Sequence, residues 1–443
     1  MPTTPAPQTA AQQLATAQLE AFHAAAFTPL TAPWLQGAQH TAASTFAQLG
    51  FPTPQVEEWK FTNLAPLARA AFAPAPAAQV SAAHINAVRL NPSAPALVFI
   101  NGRLSLDHSN VAQLPAGLTF EPLAHGLNLL DDAGQAVLTT PPEARNQALE
   151  ALSTALLSGG YLLRVTAPVS TPVEIVYCDD GTQAAGASHL HHFIDIAPHA
   201  SLTLLETWTG TGPSWHNSVT HIHLRDSARL NLIRQQTAAP EAFHTATTHI
   251  TQGQDSQCMV MLGHSGSRLA RHELHSTLTA PGAHCALYGF ALARAKQHHD
   301  TTLSVTHKAP HCTSDALFRH VADDRGQTVF QGKFHVLPEA QQTDAKMLNQ
   351  NLLLSPTAKA DSKPELEIYA DDVKCAHGAT CGNLDADSLF YLRSRGLDET
   401  TARSLLIEGF IDDLLDRVPD TAAQTRLHRT VHQWLRPEGG RSA

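Results

Sequence analysis

The reading of the fold turns on four short stretches: Ala200-Ser-Leu202-Thr-Leu204, Ala228-Arg-Leu230-Asn-Leu232, Ser256-Gln-Cys258-Met-Val260 and Ala283-His-Cys285-Ala-Leu287. Each is a small residue followed by apolar residues at alternate positions, the pattern of a strand with one buried face. Their starting positions step by 28, 28 and 27. A second apolar strand precedes each copy, marked by Ile194, Ile222, Ile250 and Leu278 at a constant step of 28. Between the two strands lie turn formers: Pro198, Asp226-Ser227, Asp255 and Pro281-Gly282. Two strands and a turn cannot bury their own apolar face, so they stack on neighbouring copies, which is the arrangement of a β-solenoid. An antiparallel sandwich is the alternative, and register kept over four copies favours the solenoid. Weaker matches extend the repeat from about Val165 to Leu354.

The flanks read as helical. Residues 1 to about 90 carry Ala, Gln and Leu in helical spacing, broken by Pro29, Pro33, Pro52 and Pro54. An Ala/Pro-rich connector from Ala70 to Pro95 leads into the apolar strand Leu97-Val98-Phe99-Ile100, closed by Asn101-Gly102. A helix is expected from Pro142 to about Ser158, with Glu143 in its first turn and Gly159-Gly160 as its stop. In the tail, Asp385 caps a helix from Ala386 to Arg395 that stops at Gly396, and Asp398 caps another to about Leu415. A last amphipathic helix spans Ala422 to Leu435. The expected division is a helical region over 1–95, a β-helix core over 96–355 with a helical insertion near 142–158, and a helical region over 356–443.

Composition removes several classes of function. The 443 residues hold 29 Lys and Arg against 39 Asp and Glu, a net charge of -10, which argues against a phosphate-binding surface and hence against nucleic acid. No apolar run reaches membrane-spanning length. Six cysteines thinly spread in a long chain imply no disulfide framework and suggest reduced thiols. Lys60 is the first Lys or Arg, so neither a secretory n-region nor an Arg-rich transit peptide is read, and a cytoplasmic location is expected. Phosphate-loop, GxSxG and HExxH motifs are missing, so no independent ATPase or hydrolase is expected.

The anomaly is 27 histidines, nineteen of them between His189 and His335. Alternation points His221, His223 and His249 away from the inward Ile222 and Ile250, and the surplus as a whole reads as surface composition. Cys258 and Cys285 occupy the inward position of Leu202 and Leu230, as small core hydrophobes. Chemistry concentrates in Asp371-Asp-Val-Lys-Cys375-Ala-His377-Gly-Ala-Thr-Cys381-Gly382. Cys375 and His377 lie two residues apart, on one face of a strand, and thiolate with imidazole suits zinc or iron-sulfur chemistry. With Cys381 there are three possible ligands and no obvious fourth, an incomplete set for a closed zinc site.

At these residues the chain resembles the SufB/SufD family of iron-sulfur cluster assembly proteins, on its SufD side. The resemblance is carried by His307-Lys-Ala-Pro-His-Cys-Thr-Ser314, Phe330-Gln-Gly-Lys333, Ala340-Gln-Gln-Thr-Asp344, Asn351-Leu-Leu-Leu-Ser355, the run from Pro364 to Thr380, Leu389-Phe-Tyr-Leu-Arg-Ser-Arg-Gly396, and Glu58-Trp-Lys-Phe-Thr62. Two positions depart from the family pattern: Glu365 replaces a usual Gln, and Cys381 adds a thiol where an aliphatic residue or Thr is usual.

The resemblance implies a right-handed parallel β-helix flanked by helical regions, in a scaffold subunit without turnover of its own. It implies pairing with SufB through the β-helix, and docking of the ATPase SufC through the C-terminal helices near Tyr391, Arg395, Gly396 and Phe410. It further implies a transient iron-sulfur cluster at the subunit interface, with His377 as a metal ligand shared with the partner and Cys375 beside it. A reduced flavin in the complex and a homodimer of the isolated chain are also within what the family implies. Two other readings stand beside this one, a metal-binding solenoid acting alone and an adaptor without cluster ligands.

Overall fold

The structure, a computed structural model, describes residues 8–70, 72–140, 142, 144–181 and 185–435. Glu143, expected in the first turn of a helix, lies outside the described residues.

Two ten-stranded sheets face each other, and the chain alternates between them. In the first sheet the central strands run Gly186–Ile196, Ser214–Leu224, Phe243–Gln252, Leu269–Leu278, His298–His307 and Gln327–Val336, ending on Lys359–Ile368. The second sheet interleaves Ser201–Thr211, Arg229–Gln236, Gln257–His264, His284–Ala293, Thr313–Ala322 and Asp344–Leu353, ending on Lys374–Gly382. These neighbours all pair in parallel. Among the described residues antiparallel pairing is confined to the N-terminal end, where Ala96–Ile100 meets Arg103–Leu104 and Leu118–Pro122 meets Gly159–Val165. The molecule is therefore a parallel β-solenoid and not a sandwich.

The repeat reappears as hydrogen-bonded register. Leu202, Leu230, Cys258 and Cys285 are successive partners, each at most 2% exposed. The corner between the sheets is left-handed in six successive rungs, at His199, Ser227, Asp255, Gly282, His311 and Gln342. Only one of these corners uses glycine; Asp and Ser tolerate the conformation better than bulky residues do. One register is corrected. Ile250 partners Ser276, while Leu278 partners Gln252. The connection from His264 to Leu269 is two residues shorter than that from Gln236 to Phe243, and the next corner is one longer, so the step of 27 in one sheet becomes 26 in the other. The slip is even, so Leu278 still points inward.

Helices cover the outer faces. Against the first sheet, Phe46, Phe51, Trp59, Phe72, Leu149 and Leu152 of the N-terminal half pack on Trp215, Phe243 and Leu269. The connector contains a short helix, Ala82–Val88, which its Pro content did not suggest. Against the second sheet, Ile407, Ile411, Leu414, Leu427 and Val431 of the tail helices pack on Leu205, Ile233 and Met261. The tail helices are Ala386–Ser394, capped by Asp385, Glu399–Leu415, capped by Asp398, and Thr421–Leu435. The solenoid runs further than the repeat indicated: Lys359–Ile368 and Lys374–Gly382 are strands beyond residue 355, in what was expected to be helical tail. Their polar sequences hide the apolar alternation, because this last rung has no further rung to bury it.

The histidine surplus is also corrected. His189, His191, His192, His216, His244, His264, His272, His299, His307 and His320 are buried, not surface residues. His221 and His249 do face away from the interior but are only half exposed; the helix Ala148–Ala155 lies over them, and Glu150 meets His249 Nε2 at 2.9 Å.

Candidate interface at the open end of the solenoid

Cys375, His377, Ala379 and Cys381 take alternate positions of the terminal strand Lys374–Gly382. Their register partners are Ala345, Met347, Asn349 and Asn351, so all four continue the inward columns of the second sheet. Among the described residues no strand pairs with the outer edge of this one or of Lys359–Ile368. Side chains that would be core in any earlier rung are therefore presented to solvent: His377 and Cys381 are exposed, and Ile368 is 39% exposed. Cys375 is half-buried, packed with Leu366 against the end of the interior core. Burial raises its thiol above the ordinary range, and the nearby Asp344 carboxylate adds to that.

The structure thus brings Cys375 and His377 together on one face of an unpaired edge. It holds Cys381 apart, since six residues of strand span roughly 20 Å and the four from His377 about 13 Å. Among the described residues no group of three or more His, Cys, Asp or Glu side chains is arranged to hold a metal ion. Of the other thiols, Cys178, Cys258, Cys285 and Cys312 are buried, with burial pushing Cys178 up to about 12 and Cys285 to about 11. Glu365 lies on the outer face of the other terminal strand, 3.1 Å from Lys363 Nζ.

The tail residues divide. Tyr391 is 56% exposed, and Arg395 donates to its hydroxyl at 3.2 Å and lies over its ring. Gly396 follows with φ of 93°, ending the helix in the left-handed region. Phe410 is instead half-buried beneath Arg319, whose guanidinium also bonds Asp413 and the Phe410 carbonyl. Sequence reasoning missed Phe390, which is 74% exposed in a helix with no buried residue. Adjacent aromatics on a short helix cannot share one buried face, which was the available signal.

The N-terminal block Glu58–Thr62 is a latch onto the solenoid. Arg271, 1% exposed, stacks on Trp59 at 3.9 Å, donates to the Glu58 carbonyl at 2.9 Å, and pairs with Glu273 and Asp300. Thr62 donates to the same Asp300 carboxylate.

The parallel solenoid, clad in helices, ends on an exposed edge that carries a thiol and an imidazole, and an unpaired edge of this kind is a template for pairing with another strand. The profile described as "SUF system FeS cluster assembly, SufBD core domain" matches residues 179–410, and "SufBD protein N-terminal region" matches residues 17–175. The chain is 31% identical over 416 residues to an iron-sulfur cluster assembly SufBD family protein of Synechocystis, covering 88% of this chain and 89% of that one. It is 28% identical over 398 residues to the iron-sulfur cluster assembly protein SufD of Escherichia coli, covering 88% and 91%. A SufBD family protein of Mycobacterium leprae is 28% identical over 275 residues, covering 60% and 69%. The chain belongs to the SufB/SufD family of iron-sulfur cluster assembly proteins.

Proposed function

We propose that this chain is the SufD-type scaffold subunit of a SufBCD assembly, working without turnover of its own. Its terminal rung meets a SufB-type partner, and a nascent iron-sulfur cluster, the cargo of the assembly, is held between them. The observation that carries this reading is His377 on an inward column of an unpaired edge, so that a partner rung covers it without any rearrangement of this chain. His377 supplies one imidazole ligand, Cys375 stands beside it, and the partner supplies thiolate. A ligand set divided between two chains opens when the chains move apart. The SufC-type ATPase docks on the tail helices, against Phe390, Tyr391, Arg395 and Gly396, with Phe410 transmitting its motion to Arg319. The relatives named for iron-sulfur cluster assembly over nearly the whole chain support the same reading.

The test is His377→Ala in the assembly reconstituted with SufB-type and SufC-type partners, followed by anaerobic absorbance. Assembly should persist while cluster loading falls; unchanged loading removes His377 from the mechanism and leaves an adaptor. Cys381→Val should load as the unaltered chain does.

A further inference from the structure

One inner corner of the solenoid is lined by imidazoles where a core would have aliphatic side chains. On the first sheet His216 and His244 are register partners stacked at 5.3 Å, and His244 Nε2 meets His272 Nε2 at 2.6 Å. On the second sheet a single column runs in register through Gln236, His264, Ala291, His320, Asn351 and Cys381. His264 joins the two, its ring centroid 4.4 Å from His272 and 6.0 Å from His299. At the inner end His216 Nδ1 lies 3.5 Å from the Asp179 carboxylate. At the outer end the column surfaces in the terminal strand, on the same face as His377.

Hydrogen-bond accounting shows what this corner lacks. Neither ring nitrogen of His264 or His320 has a partner among the described residues, and the same holds for Nδ1 of His272 and His299 and for Oδ1 of Asn351. All five residues are at most 4% exposed. Each such atom left dry forfeits its hydration without recompense, and apolar side chains of similar shape would remove that cost. Internal water with two to four polar partners removes it too. Ala291 is the one small residue between His264 and His320 in the column.

We infer that this corner holds a file of internal waters bonded to His264, His272, His299, His320 and Asn351, and that the file is a proton path between the terminal rung and Asp179. Burial holds the imidazoles neutral, His299 down to about 4 and His320 to about 3. A neutral ring accepts a proton at one nitrogen and releases one at the other, and so relays between waters. The purpose rests on the function proposed above. When a partner covers the terminal rung, a thiol that becomes an iron ligand loses its proton, RSH + Fe²⁺ → RS–Fe⁺ + H⁺, and that proton must leave a covered interface. The file carries it inward along the solenoid to Asp179, beside the partly exposed Asp180.

Two measurements test this. A high-resolution crystal structure of the full chain should show ordered waters within hydrogen-bond distance of His264, His320 and Asn351 Oδ1; dry packing at those atoms overturns the inference. In the assembly with its SufB-type partner, proton release on iron loading is followed with an indicator dye in stopped flow. His320→Leu should slow release at least about tenfold at unchanged iron stoichiometry, while His320→Gln, which still binds water, should recover most of the rate. Equal rates in His320→Leu and the unaltered chain overturn the path. An unaltered assembly that takes up no iron overturns the proposed function instead, and the crystallographic waters then decide the file by themselves.

Discussion

Met347 and His377 are register partners on adjacent strands of the second sheet, yet Met347 is 2% exposed and His377 is open to solvent. The difference between them is one rung of cover. In the isolated chain, Met347→Ala should cost about 2–5 kcal/mol, the loss of a buried side chain and the cavity left behind. His377→Ala should stay within about 0.5 kcal/mol, as exposed substitutions do. Urea unfolding of both variants checks this, and a large loss for His377→Ala would mean that the imidazole is structural.

The same relationship predicts where a partner is excluded. Ala379 is exposed on the inward face of the terminal strand, two residues past His377. Ala379→Lys places an ammonium where a covering rung would bury it, and an inward-pointing charge of this kind blocks edge pairing. The variant should fold with unchanged thermal stability and fail to co-elute with a SufB-type partner on size exclusion. Retained association would move the interface to another part of the chain.

What the sequence made legible follows from which residues obey the repeat. Leu202, Leu230, Cys258 and Cys285 announce the rungs because each is buried by neighbours on both sides. Cys375 and His377 lie on inward columns too but have neighbours on one side only, so residue types singled them out as candidates, while the continuation of the solenoid beneath them stayed hidden. The histidines held a signal that went unread. His216 and His244 lie six residues before Ile222 and Ile250, an even number, and therefore on the same inward face. Their step of 28, continued by His272, is the step of the apolar repeat itself. Taking imidazole as polar, and hence outward, hid that pattern. His221 and His249 were placed on the correct face, but periodicity within strands says nothing of a helix, Ala148–Ala155, that folds back over them.

Arg271 should be the residue on which docking of the N-terminal region depends. Burial works against the charge of Glu273, and Arg271 with His275 outweighs it, holding that carboxylate down to about 2. Arg271→Ala leaves the fully buried Asp300 without its counter-ion and Trp59 without its stacking partner. Removing one member of a buried pair costs about 3–5 kcal/mol. Lys cannot replace the planar fork that meets two carboxylates and an indole together. Hydrogen exchange of Arg271→Ala should show lost protection across residues 10–70 with the solenoid strands still protected. Uniform loss along the whole chain would contradict the latch.

The buried imidazoles set the acid limit of the fold. His189, His191 and His320 are held down to about 3, and His299 and His307 to about 4, in each case chiefly by burial. A depressed native value means that the unfolded chain, titrating near 6.5, binds protons that the native chain refuses. The stability these groups contribute is therefore complete above about pH 6.5 and is lost as pH falls toward 4 and 3. At pH 5 each of these neutral sites gives up about 2 kcal/mol relative to pH 7.5. Several acting together exceed the usual margin of stability. The unfolding midpoint in urea should fall steeply between pH 7 and 5, and His320→Gln together with His299→Gln should flatten that slope. A midpoint independent of pH over this range would mean that the imidazoles are already charged in the native chain.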